Sequence, residues 1–209
     1  MAIISSVDDL DVTIVVDGHT AREYVDPDGD NANSCPMTRR DFHIPTGQQG
    51  NLPYQIKYIE SKPGKRFAVS IRKGPKFRTI GHHIAFRIYV DGTEQVFVHQ
   101  HEKETQDGVY RRIVDGFLHR TPRGDYTSYK FQFSELKTVE ASRTVSASDL
   151  KKQMALVKEC GTVKVEFFYM LYCPPAAPQQ RPKDEYTPPT VTEVSEKALK
   201  GRAVDCATK

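Results

Sequence analysis

Ile84-Ala85-Phe86-Arg87-Ile88-Tyr89-Val90-Asp91-Gly92 decides the fold class, because Ile84, Phe86, Ile88 and Val90 stand two residues apart with Ala85, Arg87 and Tyr89 between them. Successive side chains of an extended strand point to opposite faces, so this spacing gives one apolar and one mixed face. The Asp-Gly that follows suits a type I′ turn, whose two central residues need positive φ. The same pattern recurs on both sides. Leu10, Val12, Ile14 and Val16 alternate with Asp11 and Thr13 ahead of Asp17-Gly18. Tyr54, Ile56 and Tyr58 alternate with Gln55 and Lys57, and Phe67, Val69 and Ile71 with Ala68, Ser70 and Arg72. Between these two, Pro63-Gly64 has the chemistry of a type II turn and is expected to close a hairpin. Residues 95–99, 109–114 (followed by Asp115-Gly116, a third expected type I′ turn), 129–133 and 162–172 bring the expected total to about eight or nine strands. The last is apolar on both faces, which places it at the centre of a sheet or under cover.

One helix is expected near 148–158. Ser146 and Asp149 have capping-box spacing, Leu150, Met154 and Val157 are assigned to one face, and Gly161 stands where a C-terminal cap belongs. Many short strands and little helix predict a mainly all-β domain over 1–172, an antiparallel β-sandwich or jelly-roll-like arrangement. Residues 26–50 form an acidic, turn-rich stretch expected to be a long loop. Six of the 13 prolines fall in 173–192, which therefore reads as an extended linker, and 193–209 as a short, basic, disordered tail.

At 209 residues and 38% hydrophobic, the chain is long enough for one core without disulfides. Its four cysteines, Cys35, Cys160, Cys173 and Cys206, are widely spaced and read as free thiols. The first residues lack a basic n-region and meet acid early, so neither a signal nor a transit peptide is expected. No apolar run reaches membrane-spanning length, and the expected location is cytoplasmic or nuclear. The net charge is +3, unevenly distributed: residues 1–60 hold 10 acids and 4 bases, residues 61–130 hold 14 bases and 7 acids. The simplest expectation is that these two segments pair across one fold.

The sequence holds fragments of chemical motifs but no complete one. His99-x-His101 would project two imidazoles to one face of a strand, but Thr105 and Gln106 stand where a cupin-like site needs a carboxylate. Asp26, Asp28 and Asp30 imitate the start of a calcium loop, yet Asn31 and Met37 occupy the glycine and bidentate-glutamate positions. No nucleophile elbow, phosphate loop or dinucleotide fingerprint occurs. No catalytic residue, metal or cofactor is therefore assigned. Two binding candidates remain. Arg72, Lys73, Lys76 and Arg78 around Phe77 form a basic loop that could grip phosphates and stack a base. In the tail, Lys197, Leu199, Lys200 and Arg202 could meet a protein surface through a small apolar anchor and charge.

The segments V-D-G-H-T-A-R-E-Y-V-D-P (16–27), K-Y-I-E-S-K-P-G-K-R-F-A-V (57–69), I-A-F-R-I-Y-V-D-G (84–92), F-Q-F-S-E-L (131–136), G-T-V-K-V-E-F-F (161–168) and S-E-K-A-L-K-G-R-A (195–203) together resemble a fungal domain family of unknown function. The resemblance implies a β-rich domain of fungal origin and carries over no catalytic or ligand residue. It also implies family sequences that run on past 203, so the chain is expected to be a truncated or divergent member. The leading expectation is a non-enzymatic interaction module that binds a protein partner through loops and tail. The alternatives are an enzyme whose site is assembled from sequence-distant residues, and a nucleic-acid binder using 72–78.

Overall fold

The computed structural model describes residues 2–3, 9–24, 35–36, 51–52, 55–77, 83–101, 108–121, 123–139, 148, 154, 157, 159–170, 193–195 and 206–208. In chain order these form β1 (Ala2–Ile3), β2 (Leu10–Val16), β3 (His19–Thr20), β4 (Glu23–Tyr24), β5 (Cys35–Pro36) and β6 (Asn51–Leu52). There follow β7 (Tyr58–Ile59), β8 (Phe67–Lys73), β9 (His83–Val90), β10 (Thr93–His101), β11 (Tyr110–Val114) and β12 (Gly116–Arg120). The last six are β13 (Tyr126–Lys130), β14 (Phe133–Glu135), β15 (Lys137–Val139), β16 (Val163–Met170), β17 (Glu193–Ser195) and β18 (Cys206–Thr208).

The protein is mostly β, and its two larger sheets are antiparallel. β1, β2, β8 and β11 lie side by side in that order, with β3 added beside β2. β10, β9 and β16 form the second sheet. The remaining strands pair two by two: β4 with β7, β5 with β6, β12 with β13, β14 with β18 and, in parallel, β15 with β17. One core joins the two larger sheets. Phe67, Val69 and Ile71 of β8 and Leu10 of β2 belong to the same buried cluster as Ile84, Phe86, Ile88 and Val90 of β9, so the period-two rows read from the sequence are the rows that exclude water.

Two of the three expected type I′ turns form. Asp17 and Gly18 have φ of 48° and 83°, Asp91 and Gly92 of 49° and 74°, and each pair links strands that hydrogen-bond to each other. Asp115-Gly116 is different. Neither has positive φ, and Gly116 is already the first residue of β12. Here the chain leaves β8 and joins β13, passing so close that a Cβ on Gly116 would lie 1.9 Å from the Tyr129 carbonyl oxygen. Glycine is needed for close backbone approach, a role that an Asp-Gly dipeptide does not announce.

Other expectations are corrected in the same way. Lys65 N–H donates to the Lys62 carbonyl at 3.1 Å across Pro63-Gly64, with Gly64 at φ 79°, so the turn forms. It does not close a hairpin: β7 pairs with β4, whereas β8 pairs with β2 and β11. Of the strand expected at 54–58, residues 55–57 lie outside any ladder, Tyr58 begins β7, and Tyr54 lies outside the described residues. The single strand expected at 129–133 is two, β13 and β14, because hydrogen-bonding partners change at Phe131. β16 is the outer strand of its sheet and β9 the central one, and the Arg87 guanidinium of β9 lies over the Phe168 ring at 5.4 Å.

Ser148, Met154, Val157 and Glu159 are helical, and Gly161, at φ 73°, ends the segment. Val157 is buried and Met154 exposed, so of these two only Val157 reaches the interior. Leu150, Ser146 and Asp149 lie outside the described residues. The Asp91 carboxylate accepts the Gly161 N–H at 2.6 Å, tying the β9–β10 turn to the helix end. The expected linker, 173–192, also lies outside the described residues, as does most of the tail expected to be disordered. The two described pieces of that tail, β17 and β18, pair with β15 and β14.

Gly116→Ala is expected to destabilise the domain at least twice as much as Gly18→Ala. The second meets nothing within 4 Å and carries only the strain of positive φ, about 1–2 kcal/mol. Urea unfolding of both variants measures the ratio, and equal losses would show that β12 and β13 do not approach as described. A second expectation concerns Gln100, which is 1% exposed with neither amide atom bonded among the described residues. Gln100→Met is expected to raise stability by about 1–3 kcal/mol by removing an unsatisfied buried group. A loss instead would mean that bound water satisfies the amide.

Candidate functional site

β10 and β11 are outer strands of the two sheets, and among the described residues β10 pairs only with β9 and β11 only with β8. A cavity of about 330 Å³ opens between them, lined by residues 95–98 of β10, 112–114 of β11 and 115–118, where the chain bends into β12. Pairing register explains its lining. Val96 stands opposite Ile88 and Val98 opposite Phe86, so both belong to the core-facing row of β10. Val114 stands opposite Val69 and Arg112 opposite Ile71, so both belong to the core-facing row of β11. The cleft is therefore the open side of the core, apolar along Val96, Val98, Val114 and the partly buried Phe117.

Arg112 breaks that row. It occupies a position whose neighbours are apolar, yet it is exposed, and among the described residues no further strand pairs with β11. Among the described residues neither Arg112 nor its neighbour Arg111 has an acidic partner. The one carboxylate in the cleft wall, Asp115, accepts a hydrogen bond from Lys130 Nζ at 2.7 Å. Ile113 and Leu118 flank the opening at 59% and 63% exposure, high for branched aliphatic side chains. A register shift between Glu94 and Val96 gives β10 a bulge at this edge, a feature that re-aims side chains and discourages indiscriminate pairing.

The basic loop is built differently from its sequence reading. Arg72 Nη1 lies 3.0 Å from Asp11 Oδ2. Lys73 is on the inward row of β8, buried, with Nζ 5.5 Å over the Phe77 ring. Phe77 itself belongs to the core cluster, so its ring faces the interior rather than a base. Asp9 fastens the loop: its carbonyl accepts the Gly74 N–H and its Oδ2 the Lys76 N–H, both at 2.8 Å. Of the five residues, the Lys76 side chain is exposed, and Arg78 lies outside the described residues. Lys197, Leu199, Lys200 and Arg202 also lie outside them, as do Asp26, Asp28 and Asp30. His99 is on the outward row of β10, and the His101 side chain is not described. Among the described residues no cluster of His, Cys, Asp and Glu could hold a metal ion. Cys160 is buried.

The expected pairing between the acidic first segment and the basic middle is present in Asp11–Arg72 and in Asp17–Lys65, the latter at 2.7 Å. The Lys65 hydrogen bond holds the Asp17 carboxyl below its ordinary value and in turn raises the Lys65 ammonium. Burial pushes the Tyr89 hydroxyl upward.

The sequence missed the cleft because Asp115-Gly116 read as a turn, which hid β12. Its one signal was the pair of exposed-row aliphatics, Ile113 and Leu118, beside Arg111-Arg112.

Fold and site together define an antiparallel, mainly β domain with an amphipathic cleft between two sheet edges. The chain belongs to the family described as Domain of unknown function (DUF7918), whose model matches residues 9–209. No curated protein and no solved structure matches the chain. Among the described residues no helix is long and apolar enough to cross a membrane.

A pH dependence follows from Asp17. Its folded value lies below the ordinary 3.8, so its ion pair stabilises the fold above that pH, and the contribution is lost as pH falls through the folded value. The stability difference between the wild type and Asp17→Asn should shrink on going from neutral pH to well below 3.8, and also shrink with added salt, since both partners are exposed. A difference that grows on acidification would reverse the assignment.

Proposed function

We propose that this domain is a non-enzymatic, intracellular interaction module and that the cleft between β10 and β11 is where its protein partner docks. The observation that carries the reading is the meeting of two sheet edges, unextended among the described residues, around a cleft lined in part by Val96, Val98 and Val114 and flanked by exposed Ile113 and Leu118. Sheet edges offer unpaired N–H and C=O groups, and an apolar rim offers area to bury; together they are what a protein segment uses when it docks on a β domain. A catalytic reading calls for convergent histidine and carboxylate groups in a cleft. Among the described residues, the lining contains no histidine and one carboxylate, Asp115, which is bonded to Lys130. The dispersed cysteines support a reducing compartment.

A photo-cross-linking amino acid placed at Ile113 or Leu118 of the full chain in cells should give the same discrete adduct from both positions. The same group at Lys62, an exposed residue of the Pro63-Gly64 turn, should give none. Adducts of equal yield from all three positions, or from Lys62 alone, would sink the assignment of the cleft.

A further inference from the structure

We propose that the cleft takes an extended, acidic segment of the partner, which adds as a strand beside β11 and sets a carboxylate against Arg112. This rests on the cleft being the docking surface and commits to the chemistry of what docks there.

Arg112 selects the ligand. It stands in the row of Val114, across the cleft from Val96 and Val98, and lacks an acidic partner among the described residues. While the cleft is open, water solvates its guanidinium. Once a ligand covers the cleft that water is lost, and a neutral or cationic occupant would leave a desolvated charge unpaired. A carboxylate replaces the water with two charge-assisted hydrogen bonds in the fork geometry of arginine. The cleft therefore discriminates against non-acidic segments as well as favouring acidic ones. Arg111, equally without an acidic partner among the described residues, adds to the field that draws an acidic segment in.

The backbone sets the shape. Alternate residues of β11 turn their N–H and C=O groups away from β8, and no backbone hydrogen bond from 111–114 to anything beyond that ladder is present among the described residues. An extended peptide satisfies those groups by strand addition, and alternation then sends every second side chain toward Val96 and Val98. At about 330 Å³ the cleft is at the small end of ligand sites, so it holds side chains while the rest of the segment lies along Ile113 and Leu118.

The test uses the full chain and a fluorescent Ser-Val-Ser-Glu-Ser-Val peptide, whose inward row holds one carboxylate between two apolar side chains, compared by anisotropy with Ser-Val-Ser-Lys-Ser-Val and with the acidic peptide N-methylated at alternate residues. The acidic peptide should bind at least tenfold more tightly than either. Arg112→Met should weaken it at least tenfold without lowering the melting temperature, and Arg112→Lys should fall between, retaining charge but losing the fork. Amide shifts in the bound protein should centre on 95–98 and 110–114. Equal binding of the lysine peptide, indifference to Arg112→Met, indifference to N-methylation, or no binding at all would overturn the proposal. So would peptide-induced shifts centred on 173–209, which would make a segment of this chain the occupant. If cross-links form at Ile113 and Leu118 while the acidic peptide fails, the docking surface stands and its acidic, strand-adding ligand does not; if the cross-links fail too, both fall.

Discussion

Phe67 lies between Phe133 and Phe131, with ring centroids 4.6 and 5.3 Å away, and the stack continues through Phe117, 6.4 Å from Phe131, to Tyr129, 5.2 Å from Phe117. The backbone is tied at the same place. Phe67 N–H donates to the Phe131 carbonyl, Phe131 N–H to that of Asp115, Phe133 N–H to that of Lys65, and Gly64 N–H to that of Phe133. Three residues, 131–133, thus connect the start of β8, the Pro63-Gly64 turn and the corner where β11 becomes β12. Burying one phenylalanine contributes about 1.5–3 kcal/mol, with about 0.5–1.5 more for each well-placed ring pair. Against a total stability of about 5–15 kcal/mol, this cluster is a large share of what holds the sheets in register.

The cleft is a consequence of that node. Because Asp115 and Gly116 are held to Phe131 and Tyr129, the chain is drawn off β8 after Val114 and cannot extend the five-stranded sheet any further. β11 is left as an outer strand, facing β10, which is outermost in its own sheet. Two edges side by side are an aggregation hazard for any β protein. Here the β10 bulge and the charges of Arg111 and Arg112 blunt them, leaving a cleft that is open to solvent and lined by both polar and apolar groups.

The basic loop shows how the same residue types can serve the fold instead. Asp9 and Asp11 come from the acidic first segment and spend their hydrogen bonds on the loop backbone and on Arg72. Phe77 contributes its ring to the core and to Lys73. The cations that remain without acids among the described residues include Arg111 and Arg112, which stood in the sequence as two ordinary charges at a strand start.

Much of the strand content was legible in the sequence, because the side-chain period of a strand is a local property: the rows of Leu10 to Val16, Phe67 to Ile71 and Ile84 to Val90 are inward rows in the structure, and Asp17-Gly18 and Asp91-Gly92 form the turns their chemistry favours. Pairing was not legible, because a strand's partners depend on contacts far along the chain. Nothing in Tyr129 to Phe133 says that hydrogen bonding passes from β12 to residues 64–67 at Phe131, and nothing in Asp115-Gly116 distinguishes a turn from a close crossing beneath Tyr129. The sequence alone determined the β class and the inward faces, since those follow from alternation and turn chemistry. Tertiary structure alone decided which strands became edges, and so placed Arg112 at the mouth of an amphipathic cleft, because exposure is set by which neighbour is missing rather than by the residue itself.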